Sequence, residues 1–495
     1  MSRAIQFSSP VLSIDDARRL EAVLFGSDES REWAAMQAAG RAIAAAIRRD
    51  AEEIGGLGAG RFLVLVGKGH NGGDALIAAR DLLLGQGSAM ADVVFVFGER
   101  RLRPLAARAW RELMHAAPER VRAGRTLPDA TAAYDLCLDG VFGFQFRPPL
   151  DSAVARLLEQ ANTRPVRMRA AVDLPSGGAF RADFTYATGS VKSPLLDGDN
   201  VGRLRYLDLG FFAGTPGPGE ATDRVLTFEV LDDLRALRPA HCDKRSYGHV
   251  FFLGGSRGFP GAILMSVTAA IRSGAGLVTA FVPESLAPAF AAHLPEAIWV
   301  GWPETPAGGL ALEGEHLLRE RVERAGALVI GPGIGREPET LALVAAVANA
   351  ATVPFVLDAD ALQPEIVPQG SAARVITPHA GEFKRVAGDS DLRSFAAQPN
   401  LTVVLKGPVT RVCDGGPVLH SPFGGPVLAR GGSGDLLAGM IGAQLAQHPG
   451  DPLLAAARAV VWHGHAADLL ARARGAVAVR TTDLLDHLGA ALRQP

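Results

Sequence analysis

At 495 residues the chain is long enough for about two to four domains, and its 50 Lys and Arg against 52 Asp and Glu leave a net charge of −2, which excludes the strongly basic character of a nucleic-acid binder. With 48% hydrophobic and 21% charged residues the composition is that of a globular protein, and with only 6% aromatics its packing has to be largely aliphatic. Cys137, Cys242 and Cys413 lie far apart and form no CxxC or Cys/His spacing, which argues against a disulfide framework or a zinc knuckle.

The opening stretch MSRAIQFSSPVLSIDDARR has no apolar core after its first Arg, so the sequence predicts a cytoplasmic protein. Asp15 to Arg49 reads as helix with a break near Gly26 to Asp28. Arg61 to Gly67 is a continuous apolar strand that leads through a glycine turn into a helix over Ala75 to Leu83. Further strands are predicted at Asp92 to Gly98, Asp135 to Gly140 and Arg169 to Pro175, an alternation that indicates an α/β unit with a mainly parallel sheet. Pro and Gly concentrate over Gly214 to Gly219, and no strong period follows. The reading is therefore a first domain over 1–221, a linker over 222–242 and a second domain over 243–495. In the second, strands are predicted at Gly248 to Gly255, Ala327 to Gly333, Pro354 to Asp360, Arg374 to Pro378 and Thr402 to Gly407, with a long helix from about Asp435. Ile263 to Val282, the most apolar stretch, is interrupted by Arg272, Gly274 and Gly276, and predicts a buried helix and strand rather than a membrane span.

Gly67-Lys68-Gly69-His70-Asn71-Gly72-Gly73-Asp74 satisfies GxGxxG between a strand and a helix, where glycines let backbone amides approach phosphate. With Glu99 as a ribose acid it also admits a nicotinamide dehydrogenase, and without any ligand a plain tight turn. Asp139-Gly140-Val141-Phe142-Gly143 and Asp173-Leu174-Pro175-Ser176 put further carboxylates at strand ends, where ligands collect in open α/β sheets. Asn71, Asp139 and Ser176 together make an all-oxygen donor set that suits a hard cation. Arg430-Gly431-Gly432-Ser433-Gly434-Asp435 joins a glycine-rich anion cradle to a helix start, with Asp435 placed to take a proton from an attacking hydroxyl. It is accompanied by Gly254-Gly255-Ser256, Gly331-Pro332-Gly333, Asp358-Ala359-Asp360 and Thr377-Pro378-His379-Ala380-Gly381-Glu382. His463-Gly464-His465 reads as a pair of core histidines on a helix.

HNGGDA, DGVFG, AVDLPSG and ADFTYATGSVK resemble the N-terminal epimerase domain of the NAD(P)H-hydrate repair proteins, the YjeF family, which is Rossmann-like without being a dehydrogenase. From about Asp243 to Leu492, TPHAGE and GGSGD resemble the ribokinase-like domain of ADP- or ATP-dependent NAD(P)H-hydrate dehydratase. The resemblance implies a bifunctional repair enzyme for NADH hydrate and NADPH hydrate, using ADP or ATP with Mg2+ in one half and K+ in the other, and a homo-oligomer. It implies Asp435 as general base, Ala262, Gly333 and His379 around the hydrate, and Lys406, Gly407, Pro408, Val409 and Thr410 with Gly431, Gly432, Ser433 and Gly434 around the nucleotide. In the epimerase half it implies potassium on Asn71, Asp139 and Ser176, with Asp139 assisting proton transfer. His70, Asn71, Gly72, Gly73 and Asp74, then Gly143, Phe144, Gln145, Phe146, Arg147, Pro148 and Pro149, and Asp173 would face the substrate. Arg430 and Ser433 stand where the family usually has threonines, and His70 and Ala75 depart from its NNGGDG. Bulky Phe144 and Gln145 replace the small residues of FGTG, which predicts an obstructed loop and slow epimerisation. A vitamin or sugar kinase of the same ribokinase-like fold, with a non-catalytic N-terminal domain, is the competing reading.

Overall fold

The computed structural model describes residues 2–26, 28–144, 146–213 and 221–493. The chain divides into two compact units, one of Ser9–Ala221 with Ala471–Ala476, the other of Met1–Ser8, Thr222–Leu470 and Val477–Pro495. Among the described residues no helix is long and apolar enough to cross a membrane.

The N-terminal unit is built on a seven-stranded sheet of β1 (Arg61–Val66), β2 (Met90–Phe95), β3 (Val121–Gly124), β4 (Tyr134–Gly140), β5 (Val166–Val172), β6 (Phe184–Thr188) and β7 (Arg203–Leu207). The spatial order is β3-β2-β1-β4-β5-β6-β7, and every neighbouring pair is parallel. Strands β1 and β4 are nearly wholly buried, as their unbroken apolar runs require of strands covered on both faces. Two flanking helices are separated where the sequence predicts a break. Ile14–Phe25 ends at Gly26, whose φ of 57° is left-handed, and Glu29–Ala51 starts on the Asp28 carboxylate, which accepts the amides of Ser30 and Arg31. The helix after β1 runs over His70–Gly85, not from Ala75, so His70 to Asp74 already form its first turns behind the N-cap Gly69. The strands β6 and β7 escape a search for apolar runs because β7 alternates, with Arg203 and Arg205 lying over the Phe184 ring at 4.3 and 5.4 Å.

The C-terminal unit has β8 (Asp223–Leu226), β9 (His249–Leu253), β10 (Leu277–Pro283), β11 (Ile298–Trp302), β12 (Ala327–Ile330), β13 (Phe355–Leu357), β14 (Arg374–Ile376), β15 (Leu401–Leu405), β16 (Thr410–Cys413) and β17 (Val418–Ser421). Their order is β11-β10-β9-β12-β13-β14-β15-β16-β17-β8, parallel except where β16 runs antiparallel between β15 and β17. The stretch read as a linker contributes β8 and the fully buried Val230 and Leu231, while Gly214 to Glu220 lie outside the described residues. The apolar stretch after Ile263 is the helix Pro260–Arg272 followed by β10. The helix Ser433–Gln447 packs against Pro260–Arg272 so closely that a Cβ at Gly439 would overlap the Ser266 carbonyl oxygen. Glycine is needed there for helix contact, not flexibility.

Candidate functional sites

In the N-terminal unit the predicted oxygen donors meet at the C-terminal ends of the central strands. Asp139, fully buried at the end of β4, accepts the Ser176 hydroxyl at 2.7 Å and the Val141 amide at 3.1 Å on Oδ1, and the Ser176 amide at 2.8 Å on Oδ2. The Asn71 amide nitrogen donates to the carbonyls of Val172 at 2.9 Å and Phe142 at 3.3 Å, which fixes its carbonyl oxygen toward Gly143. Burial pushes the Asp139 carboxyl up to about 6, and its hydrogen bonds from Ser176 and Val141 pull it back only partly.

Beside this set lies a buried cluster that the sequence reading resolved only in part. Asp173, held at a left-handed φ of 65°, ion-pairs with Lys192, and both are almost wholly buried. Burial raises the Asp74 carboxyl well above its usual range, with the charges of Asp173 and Glu21 adding to the effect, and its Oδ1 has no hydrogen-bond partner. Burial likewise pushes Glu21 up to about 7. Lys192 closes the quoted ADFTYATGSVK stretch and Glu21 lies on the first helix. Neither position carries a local signal, because the contact is made by folding alone.

Phe144 is also buried, packed with Leu12, Ala17 and Leu20, and its ring lies 5.2 Å from the Lys192 ammonium. The expected obstruction supposed that this side chain faces the loop's open side. The structure turns it into an apolar cluster instead, so its bulk acts as core. Gln145 lies outside the described residues. The Phe146 ring lies 4.5 Å from that of Phe142, tilted at 42°, while Arg147, Pro148 and Pro149 are exposed. His70 is part-exposed, 3.7 Å from Glu32, with its pKa lowered by burial.

The glycines of GxGxxG have a local account. A Cβ at Gly67 would overlap the Val141 carbonyl oxygen and one at Gly72 that of Gly67, whereas Gly69 has open space around it. Gly67→Ala is therefore expected to destabilise the N-terminal unit by about 1–3 kcal/mol or more through overpacking, and Gly69→Ala to be tolerated, which thermal unfolding of the two variants checks.

In the C-terminal unit a second constellation forms at the ends of β13, β14 and β15. The Thr377 hydroxyl donates to Asp358 Oδ1 at 2.6 Å, and the Lys406 ammonium lies 3.2 Å from the same oxygen and 4.0 Å from Glu382. A Cβ at Gly434 would stand 3.1 Å from Lys406 Nζ, so the ammonium sits against the start of the GGSGD helix. Burial pushes the Asp435 carboxyl up to about 6; Asp358 adds to the rise and Lys406 opposes it. Burial alone would lower the Lys406 ammonium, but attraction to Asp358, Glu382 and Asp435 outweighs it and holds the group above its ordinary value. The arrangement combines a carboxylate of raised basicity with a fixed cation at a helix N-terminus, where first-turn amides lack intrahelical acceptors.

His379 caps the helix Ala380–Ala387, its Nδ1 accepting the Gly381 and Glu382 amides, while Glu382 accepts the His379 amide at 2.9 Å. This capping box explains the spacing of TPHAGE and leaves the ring largely exposed. Gly333, at φ 72°, lies against Ala262, with 3.2 Å between the Ala262 Cβ and a Cβ built on the glycine. Ser433 donates its hydroxyl to the Leu428 carbonyl at 2.7 Å, and Thr481 bonds the Gly431 carbonyl at 2.8 Å. Gly407, Pro408 and Val409 form the turn from β15 into Thr410 of β16. His463 is buried on the helix Pro452–Arg474, where burial lowers it to about 4 and keeps it neutral.

Both sites fall within stretches that match known families. Residues 33–192 match YjeF-related protein N-terminus and residues 250–489 match NAD(P)H-hydrate dehydratase. A bifunctional NAD(P)H-hydrate repair enzyme Nnr from Gloeobacter violaceus is 38% identical over 488 residues, covering 92% of each chain. The chain belongs to the family of bifunctional NAD(P)H-hydrate repair enzymes. The repair enzyme of this family from Escherichia coli is 32% identical, covering 86% of this chain and 84% of its own. Among solved structures, an ADP/ATP-dependent NAD(P)H-hydrate dehydratase from Bacillus subtilis co-crystallised with ATP/Mg2+ is 30% identical, with TM-score 0.46, over 53% of this chain and 96% of its own. Within this repair-enzyme family the fold is α/β in both halves, Rossmann-like and then ribokinase-like.

Proposed function

We propose that the C-terminal unit dehydrates NADH hydrate and NADPH hydrate at the expense of ADP or ATP, and that the N-terminal unit interconverts the hydrate epimers. The observation that carries the reading is the basic carboxylate of Asp435 at the GGSGD helix start, beside the Lys406–Asp358 pair. Hydroxide is a poor leaving group and phosphate a good one. Asp435 accepts the proton of the hydrate's ring hydroxyl as that oxygen takes the terminal phosphoryl group, and the nucleotide departs one phosphate shorter. The C–O bond then breaks to release phosphate, an adjacent ring carbon gives up its proton to solvent, and the electron pair of that C–H bond restores the double bond of the reduced cofactor. Lys406 and the helix amides stabilise charge on the transferring group. Ala262, Gly333 and His379 border the hydrate, and Lys406 to Thr410 with Gly431 to Gly434 border the nucleotide.

Among the described residues no three His, Cys, Asp or Glu side chains are grouped so as to hold a metal ion. Asp358 and Asp435 would hold a Mg2+ ion brought with the nucleotide, which would supply charge neutralisation. In the other half, Asn71, Asp139 and Ser176 fit K+, because Asn71 keeps its carbonyl oxygen turned away from its own two hydrogen bonds and Asp139 is a fully buried carboxylate met by hydrogen-bond donors but by no cationic side chain among the described residues. A potassium ion held there would supply positive charge to the substrate site. Asp139 and Asp173 border that substrate, with Asp139 moving a proton at the epimerising carbon's hydroxyl.

The test supplies the full chain with mixed hydrate epimers and each nucleotide in turn, following the absorbance of the reduced nicotinamide and the release of phosphate. Complete recovery faster than spontaneous epimerisation supports both activities. Phosphate retained on the product would support a vitamin or sugar kinase instead. Because Asp435 must be ionised to act as base and its pKa is about 6, dehydration is expected to fall about tenfold per pH unit below that value. A rate–pH profile flat down to pH 5 would remove Asp435 from the role.

A further inference from the structure

The sheet order β3-β2-β1-β4-β5-β6-β7 reverses direction of growth between β1 and β4, and a dinucleotide lies across such a point with one half over each side. Asn71, Asp139, Asp173 and Ser176 occupy the β4 and β5 side only. On the other side, at the C-terminal ends of β1, β2 and β3, the unit holds a cavity of about 990 Å³ lined partly by aromatic and aliphatic side chains, a volume ordinary for a nucleotide-sized ligand. Lys68, Arg100, Arg101 and Arg125 line it against the carboxylates of Glu99 and Asp151.

The two acids are occupied. Glu99 Oε1 accepts the Trp110 indole N–H at 3.0 Å, and Asp151 caps the helix Ser152–Asn162 by accepting the amides of Ala153 and Val154. The three arginines are not, since no ion pair or side-chain hydrogen bond engages Arg100, Arg101 or Arg125 among the described residues, whereas the Lys68 ammonium lies 5.7 Å from the Phe97 ring. Arg125 reaches back across the end of β2, its Nε 3.5 Å from where a Cβ on Gly98 would stand. Three free guanidinium groups thus gather where the adenosine end of a dinucleotide falls, the position at which arginine accommodates a ribose 2′-phosphate.

We infer that this cavity binds the adenosine 2′-phosphate end of the substrate, so that the epimerase half acts preferentially on NADPH hydrate over NADH hydrate. The inference rests on the proposed epimerase activity for its kinetic reading, but its binding reading does not.

The test uses the full chain, its triple variant Arg100→Ala, Arg101→Ala, Arg125→Ala, and Glu99→Gln. With ATP saturating the C-terminal half, adenosine 2′,5′-bisphosphate and 5′-AMP are titrated against each protein by calorimetry. The wild type is expected to bind the bisphosphate about tenfold or more tightly than 5′-AMP. The triple variant loses that advantage and Glu99→Gln increases it. In epimerisation the triple variant raises KM for NADPH hydrate about tenfold with kcat unchanged, and leaves NADH hydrate unaffected. All three arginines are exposed, and unchanged melting of the variant verifies its fold. Bisphosphate affinity equal in wild type and triple variant overturns the inference even if epimerisation is fast. Arginine-dependent bisphosphate binding in a chain that epimerises neither hydrate upholds the site and overturns the epimerase reading alone.

Discussion

Asp435→Asn is expected to slow dehydration by about 10² to 10⁴ while leaving nucleotide affinity nearly unchanged. The substitution removes the base but keeps the helix amides and the Lys406 ammonium that face the phosphates. It is also expected to stabilise the C-terminal unit. A carboxyl whose pKa rises from 3.8 to about 6 on folding binds more protons in the native than in the unfolded state between those values. Stability is therefore lost as pH rises through that window, and the penalty is complete at neutral pH. For a part-buried group it amounts to about 1–2 kcal/mol, so the variant should melt higher than the wild type at pH 7 and equally at pH 4. Near wild-type turnover, or a lower melting point at pH 7, would contradict the placement of Asp435 as a destabilised catalytic base.

Asp139→Asn should abolish epimerisation to a similar degree, about 10² to 10⁴, without touching the dehydratase. Supplied with mixed epimers and nucleotide, the variant should convert the reactive epimer at the normal rate and then stall at the rate of spontaneous interconversion. Asp139→Ala goes further, because it strands the Ser176 hydroxyl, the Ser176 amide and the Val141 amide in a buried place. Each orphaned donor costs about 1–3 kcal/mol, so that variant should lower the melting temperature of the N-terminal unit as well. Since Asp139 also has a pKa near 6, epimerisation should fall as pH drops below that value. A two-phase time course absent from Asp139→Asn would show that another group moves the proton.

The α/β class of both units, the strand-end location of Asp139 and Asp173, the helix-start location of Asp435 and the glycine-rich starts of the two site helices are all legible in the order of residues along the chain. These features are local: an unbroken apolar run requires a strand buried on both faces, and a glycine cluster ahead of an Ala- and Leu-rich stretch requires a turn into a helix. What the side chains do there depends on contacts made only when the chain folds. Gly67 and Gly72 are demanded by carbonyl groups of the chain itself, and Phe144, read as an obstruction, is core because the helix Ile14–Phe25 covers it. His379 caps its own helix, and β8 joins the sheet from a stretch with no period of its own. The same holds for the charges. Lys192 meets Asp173 across 19 residues and Lys406 meets Asp358 across 48, separations at which no spacing rule operates. These pairings come from burial and proximity, which are properties of the assembled core and not of neighbouring residues in the chain.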